Sequence, residues 1–342
     1  MARAAVEPGL RPLAWEMRGR VALALAFVLL AALPFVLPLL GAQAVVGLAT
    51  RMLIYAIAAA SLNLILGYAG LVSFGHAAYY GVGAYVVGIL YAHWASDEPL
   101  LGLVPGTDQF LLAVPAAVIV SGLAALVLGA LSLRTSGVQF IMITLAFAQM
   151  LFFLFVSLDH YGGDDGLIMR RPNALLGLNL RDDATMYLVA LGALALYLLL
   201  LSRIVRSRFG RVLSGIRQDE RRVIALGIEP YPYKLAAFVI AGMGAGLAGA
   251  LMANMTRFVS PDMLHWTKSG EFMIMVILGG VGSLFGPVLG AACLIGLEYV
   301  LAGLTEDWQF YLGPLLVLVV LFARGGLSGL LGRRAGVGGS DG

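Results

Sequence analysis

LLAVPAAVIVSGLAALVLGALS, residues 111–132, is a run of 22 residues without one charged side chain. Wound as a helix, roughly 20 apolar residues cross the ~30 Å of hydrocarbon in a bilayer, and this stretch is long enough to do so. The rest of the chain repeats the theme. Of its 342 residues 61% are hydrophobic and 12% charged, with a mean hydropathy of +0.93. That is more apolar surface than one soluble core hides. Clear runs recur at 21–40, 52–67, 73–93, 137–158, 186–205, 234–256 and 286–303. Two shorter ones, 271–281 and 310–323, span only with flanking residues. The fold class expected is an all-α polytopic membrane protein of about ten transmembrane helices. If the count is ten, five-helix halves must run in opposite orientations, as inverted repeats require. In 73–93, Gly75, Gly81, Gly83 and Gly88 loosen the helix, and a re-entrant segment is the alternative there.

The first run could be mistaken for a signal peptide, because Arg3, Arg11, Arg18 and Arg20 precede it. It continues across Pro34 and Pro38 to Leu40 without a small-x-small cleavage site, which makes it an uncleaved first span. With the N-terminus placed in the cytoplasm, alternation puts 16 of the 22 Lys and Arg on the cytoplasmic side and Arg51, Arg170, Arg171, Arg181, Arg257 and Lys268 outside. The expected organisation is a cytoplasmic segment 1–20, a transmembrane domain 21–323 with a long cytoplasmic loop at 203–233, and a cytoplasmic tail 324–342. Trp94, Trp266 and Trp308 fall at the outer interface and Trp15 at the inner one. Cys293 is the single cysteine, so no internal disulfide exists. The net charge of +3 sums a basic inside and an acidic outside, and it implies no nucleic-acid partner.

The long loop holds FGRVLSGIRQDERRVIALGI, residues 209–228, with six charged side chains in twenty positions. Val212, Leu213, Ile216, Val223, Ile224 and Gly227 recur at helical spacing and gather on one side of a predicted helix over 213–228. Arg217 can reach Glu220, and Asp219 can reach Arg222, each three residues on. Gly227 stops the helix, and Pro230 and Pro232 forbid its continuation. Two readings compete. A basic loop can lie on anionic lipid, whereas Asp219 and Glu220 in mid-face, with a defined stop, suit a helix that docks into a protein groove.

The chain also carries NLILGYAGLVSFGHAAYYGVGAY (63–85), SGVQFIMITLAFAQM (136–150), YGGDDGL (161–167), RSRFGRVLSGIRQDERRVIALGI (206–228), KLAAFVIAGMGAGLAGAL (234–251) and VILGGVGSLFGPVLGA (276–291). In this order the blocks resemble the branched-chain amino-acid permeases of the LivM type, subunits of ABC importers. The segment 220–227, ERRVIALG, is similar to the coupling helix by which such permeases dock on their ATPases. Arg221, Arg222 and Val223 depart from that motif, standing where it carries small residues. The resemblance implies a permease that moves Leu, Ile or Val, or a related small solute such as urea or an amide, across a bacterial inner membrane. It implies as partners a sister permease of the LivH type, two cytosolic ABC ATPases and an extracytoplasmic solute-binding protein. Arg217, Asp219, Glu220, Arg221, Arg222 and Gly227 would couple to the ATPases.

Independently, a phosphate-binding loop ends in Gly-Lys-Ser/Thr, and the two lysines follow Tyr233 and Thr267. The chain therefore cannot hydrolyse ATP by that machinery, and energy must arrive from a partner or an ion gradient; the resemblance implies that ATP and Mg are used by partner subunits, with no cofactor and no enzyme activity in this chain. A solute path needs polar groups in the spans. Ser61, Asn63, Ser73, His76, Gln139, Thr144, Gln149, Asn254 and Glu298 are the candidates, each with the alternative of bonding a neighbouring helix. Glu298 reads as the only acid within a predicted span. An ion-coupled transporter, the other class considered, would be expected to bury several such groups. The outer loop 159–185, with Asp159, Asp164, Asp165, Asp182 and Asp183 beside Arg170, Arg171 and Arg181, reads as a docking surface for the binding protein or as an ordinary solvated loop. No metal site is expected. Gly242, Gly246 and Gly249 form a small-residue face that permits close helix packing.

Overall fold

A computed structural model describes residues 27–38, 41, 43–99, 105–175 and 177–305, with positions 307, 310, 311, 313, 314, 326 and 327 beyond them. The segment 1–20 lies outside the described residues, as do most of the run 310–323 and of the tail 324–342. The helices are α1 (Phe27–Pro38), α2 (Gln43–Asn63), α3 (His76–Ser96), α4 (Phe110–Ser132), α5 (Val138–Val156), α6 (Asp183–Arg206), α7 (Arg208–Gln218), α8 (Glu220–Ala225), α9 (Pro230–Thr256), α10 (Trp266–Gly279) and α11 (Gly286–Ala302). A two-residue ribbon pairs β1 (Leu167–Ile168) with β2 (Phe258–Val259), antiparallel.

Composition explains which helices are central. Alanine and glycine fill α9, and its backbone approaches two neighbours closely. A Cβ added at Gly249 would lie 2.8 Å from the Tyr80 carbonyl carbon, and one at Gly83 would lie 2.5 Å from the Gly246 Cα. Helices α3 and α9 therefore cross almost backbone to backbone, the geometry that small residues permit where the hydrophobic effect gives no drive between helices. Gly122 on α4 accepts Met243 of α9, and Gly129 accepts Phe238, in the same manner. Helix α2 packs on α6, α9 and α11, and α10 folds back on α11. In α2 and α9 67% of the span is buried, against 17% in α5 and 28% in α6, so the first two form the centre and the last two the rim.

The helices refine the expected runs. The run 73–93, expected as a span with a re-entrant segment as the alternative, is a continuous 21-residue helix from His76; of the glycines that loosen it by propensity, Gly83 meets α9 and Gly81 meets Leu264. The run 52–67 begins earlier, at Gln43, which brings Arg51 inside α2 instead of leaving it at an outer boundary. Five helices among the described residues, α2 with the turn that follows it, α4, α5, α6 and α9, are long and apolar enough to cross a membrane alone, where about ten were expected. Of the other expected runs, α3 has 21 residues, α10 and α11 have 14 and 17, and the first and last runs lie partly outside the described residues. The run 271–281 forms the 14-residue α10, which turns at Gly280 and pairs with α11 as a hairpin. A Cβ at Gly290 would lie 2.8 Å from the Met275 carbonyl carbon.

Gly249→Val, which drives a branched side chain into α3, is expected to lower the thermal midpoint in detergent by several degrees, in line with overpacking costs of about 1–3 kcal/mol. Gly192→Leu on α6, where a Cβ meets nothing within 4 Å, is expected to leave it unchanged; fluorescence-detected size exclusion after heating reads both.

Candidate functional site

Helix α2 does not end as an α-helix. Its last residues, Leu64–Tyr68, widen into a π-turn, and the chain then runs irregularly to His76, with Gly70 in the left-handed region (φ 73°). Such a segment exposes polar backbone that hydrocarbon cannot satisfy, and π-turns often mark functional positions. Here the partners come from the chain. The Asn63 side chain donates to the Ser283 carbonyl (2.8 Å) and accepts from the Gly282 amide (2.9 Å), clamping the α10–α11 turn against the end of α2. Arg217, from α7, donates to the carbonyl of Gly67, and its stem lies over Gly70, whose lack of a side chain makes room. Thr144 accepts from the Phe74 amide (3.3 Å), Ser73 from Gly75 (3.2 Å) and Ser269 from Ala77 (2.8 Å).

The charged segment is two helices, not the single helix predicted over 213–228. Asp219 is extended (φ −159°, ψ 100°) between them and caps the second, accepting from the Arg222 amide. This break resets the helical phase. Leu213, Ile216 and Val223 are buried as expected, but Ile224 and Leu226 are 55% and 74% exposed, and Gly227 is exposed beside them. The stop at Gly227 holds. Its φ is 81°, and the Ile228 amide bonds the Val223 carbonyl (3.3 Å) while the Gly227 amide bonds Ile224 (2.9 Å), which satisfies carbonyls at the helix end. The expected Arg217–Glu220 pair does not form. Arg217 is engaged by Gly67, and Glu220 pairs with Lys234 of α9 at 2.7 Å, bracing α8 against the bundle. The Asp219–Arg222 pair does form, at 3.7 Å. Beneath α7 and α8 lies a cavity of about 190 Å³ bounded by Gly70, Thr135, Phe140, Arg217, Glu220 and Lys234. Arg221 and Arg222 project outward.

The polar residues expected along a solute path are mostly joints. Ser61 donates to the Ala58 carbonyl and bonds Nε2 of His76 at 2.7 Å; His76 Nδ1 has no partner among the described residues. Asn254 accepts from the Asn173 amide (2.9 Å) and donates to Ala250, which ties the outer loop to α9. Gln139 is exposed at the start of α5, and Gln149 is half-buried there with an unpaired oxygen. Glu298 pairs with Arg51 at 3.3 Å. It is not the only acid within the expected spans: Glu271, in the run 271–281, lies on α10, 2.9 Å from Lys268. The count of one acid, which weighed against ion coupling, is therefore corrected to two. In the outer loop Arg171 pairs with Asp108 at 2.7 Å and covers Trp94, while Asp182 caps α6. The sequence reading missed Gly67, Lys234, Ser269 and Ser283 as partners. Only Lys268 and Glu271, three apart, carried a visible signal, since backbone acceptors leave none.

The chain matches the family model described as branched-chain amino acid transport system / permease component over residues 44–325. It is 29% identical over 318 residues to the high-affinity branched-chain amino acid transport system permease protein LivM of Salmonella typhimurium, covering 85% of this chain and 71% of that one. The LivM of Escherichia coli K12 matches with the same identity and coverage. The autoinducer 2 import system permease protein LsrC of Klebsiella pneumoniae is 31% identical over 175 residues, 47% of this chain and 49% of that one. No solved structure matches.

Removing the cap with Asp219→Ala is expected to cost α8 about 1 kcal/mol, read as roughly fivefold faster hydrogen exchange at the amides of 221–226 with exchange in α9 unchanged.

Proposed function

The chain belongs to the branched-chain amino acid permease family, a multi-pass permease subunit of an ABC importer in a bacterial inner membrane; from that premise we propose that it carries Leu, Ile or Val, handed over by a solute-binding protein, along a path shared with a sister permease of the LivH type. Helices α1–α6 and α9–α11 are read as crossings, with 310–323 as the tenth and the termini in the cytoplasm. Two five-helix halves then run in opposite senses. The Lys and Arg bias puts α7 and α8 on the cytoplasmic side, where two ATPases supply the energy and hold the ATP and Mg.

The observation that carries this reading is the outward face of α8. Ile224 and Leu226 stand exposed beside Arg221 and Arg222, on a helix fixed at both ends by the Asp219 cap and the Gly227 stop. An apolar pair ringed by charge is the composition of a docking knob. A lipid-lying helix would be expected to align its apolar residues with its basic rim, whereas here Glu220 and Asp219 are committed to holding α8 in place. The outer loop, pinned through Asn173 and Arg171, is proposed as the receiving surface for the binding protein.

In a strain lacking the chain, uptake of labelled leucine restored by the Ile224→Asp/Leu226→Asp variant is expected to be about tenfold below wild type, with normal membrane levels and with the ATPase no longer co-purifying. Both residues are exposed, so folding is not at stake. Wild-type uptake and co-purification in that variant would sink the docking reading.

A further inference from the structure

Apart from Asp183, Arg203 and Arg206 at the two ends of α6 and Lys234 in the first turns of α9, the charged side chains within helices away from α7 and α8 lie on α2, α10 and α11: Arg51, Lys268, Glu271 and Glu298. They form two ion pairs, Arg51 with Glu298 at 3.3 Å and Lys268 with Glu271 at 2.9 Å. Their side chains are 37%, 28%, 28% and 40% exposed respectively for Arg51, Glu298, Lys268 and Glu271. The pairs share one aromatic wall. The Arg51 guanidinium sits 5.5 Å from the Tyr55 ring, and Tyr55 packs on Phe272, the residue after Glu271, at 5.7 Å and on Tyr80 at 6.4 Å. All three rings are buried.

The opposite faces of the bundle differ. Helices α4 and α5 hold no charged side chain, and α6 holds none between Asp183 and Arg203; their exposed positions are apolar, among them Leu112, Ile119, Leu123, Phe153, Leu196 and Leu200. That surface suits lipid. Charges within a helix that are neither buried nor lipid-compatible mark protein- or water-facing surface, so the sides of α2, α10 and α11 that carry these four are turned from the acyl chains, while Ile277, Tyr299 and Val300 are exposed on the same helices.

We infer that these two pairs line the aqueous path and read a zwitterionic α-amino acid, its carboxylate and ammonium taken by Arg51 and Glu298 or by Lys268 and Glu271. The inference rests on the amino-acid transport reading above and gives it a site. Each pair satisfies itself in the empty state and opens to take both charged ends of the solute, so that neither of its own charges is stranded. Complementary charge at both ends of the solute also disfavours amines and carboxylic acids that carry only one, because one member of the opened pair would lose its counter-charge.

The test uses the full transporter, co-expressed with its partner permease, ATPases and binding protein, in a Cys293→Ser background. Single cysteines at Lys268 and Glu298 are expected to react with a membrane-impermeant sulfonate thiol reagent, whereas Leu123→Cys on the apolar face does not. Arg51→Gln/Glu298→Gln and Lys268→Gln/Glu271→Gln, each neutral, are expected to lower leucine uptake about tenfold or more, as loss of a desolvated charge contact does, while the complex still assembles. Cysteines at 268 and 298 that stay unlabelled overturn the proposal, and so does wild-type uptake by both neutral variants, which would make the pairs structural locks. Labelling at both sites in a wild-type transporter that moves no amino acid would overturn the ligand assignment through failure of the parent reading, with the face still aqueous.

Discussion

Backbone polar groups inside a membrane protein have no water to fall back on, and this chain abandons regular helix where α2 gives way to α3. Much of the structure follows from satisfying that one segment. Asn63 spends both ends of its amide on the α10–α11 turn. Arg217 reaches in from α7 to the Gly67 carbonyl, and Thr144 and Ser269 supply partners for the amides of 74 and 77 from α5 and α10. Four helices are thereby keyed to one irregular joint. The glycines there are required by the same joint. A side chain at Gly70 would meet the Arg217 stem 3.1 Å away, on a backbone already in the left-handed region.

The apolar runs made the class of fold legible, because a span is encoded by length and composition, which need no neighbour to interpret. What lay between α2 and α3 was legible only as polar residues in an apolar setting. Ser61, Asn63, Ser73, Thr144 and Asn254 were found by type, yet each chiefly serves backbone or histidine in the structure, and the acceptors it meets have no sequence signature. The charged loop shows a second limit. Helical spacing placed Leu213, Ile216 and Val223 correctly, but periodicity carried through Asp219 assumes an unbroken helix, and a residue with strong capping preference is where that assumption fails. One extended residue turned Ile224 from the buried side to the exposed one.

The electrostatic layout is uneven around the bundle. Helices α4, α5 and α6 present aliphatic side chains outward, and their interior lengths carry no charge. Away from the ends of α6 and the cytoplasmic Lys234–Glu220 bridge, charge within helices gathers on α2, α10 and α11, already paired. Pairing keeps such groups tolerable, yet partial exposure means that the desolvation cost of a fully buried pair is not incurred. Neutralising one partner alone would leave the other without its counter-charge.

Contacts also join the two ends of the bundle. From α8 the Glu220–Lys234 bridge and the α7 helix lead to Arg217, from Arg217 to the Gly67 carbonyl, and from the end of α2 through Asn63 to Gly282 and Ser283. That turn is the hinge of the α10–α11 hairpin, whose far ends hold Lys268, Glu271 and Glu298. A path of contacts is not by itself a coupling, which requires an element with two arrangements that both sites bias. The α10–α11 turn is suited to be that element: Gly280 and Gly282 adopt positive φ, and the turn is tied to the end of α2 through the two bonds of one asparagine. A pull at α8 would reach this turn through Arg217 and the end of α2, and the hairpin that it joins carries the charges.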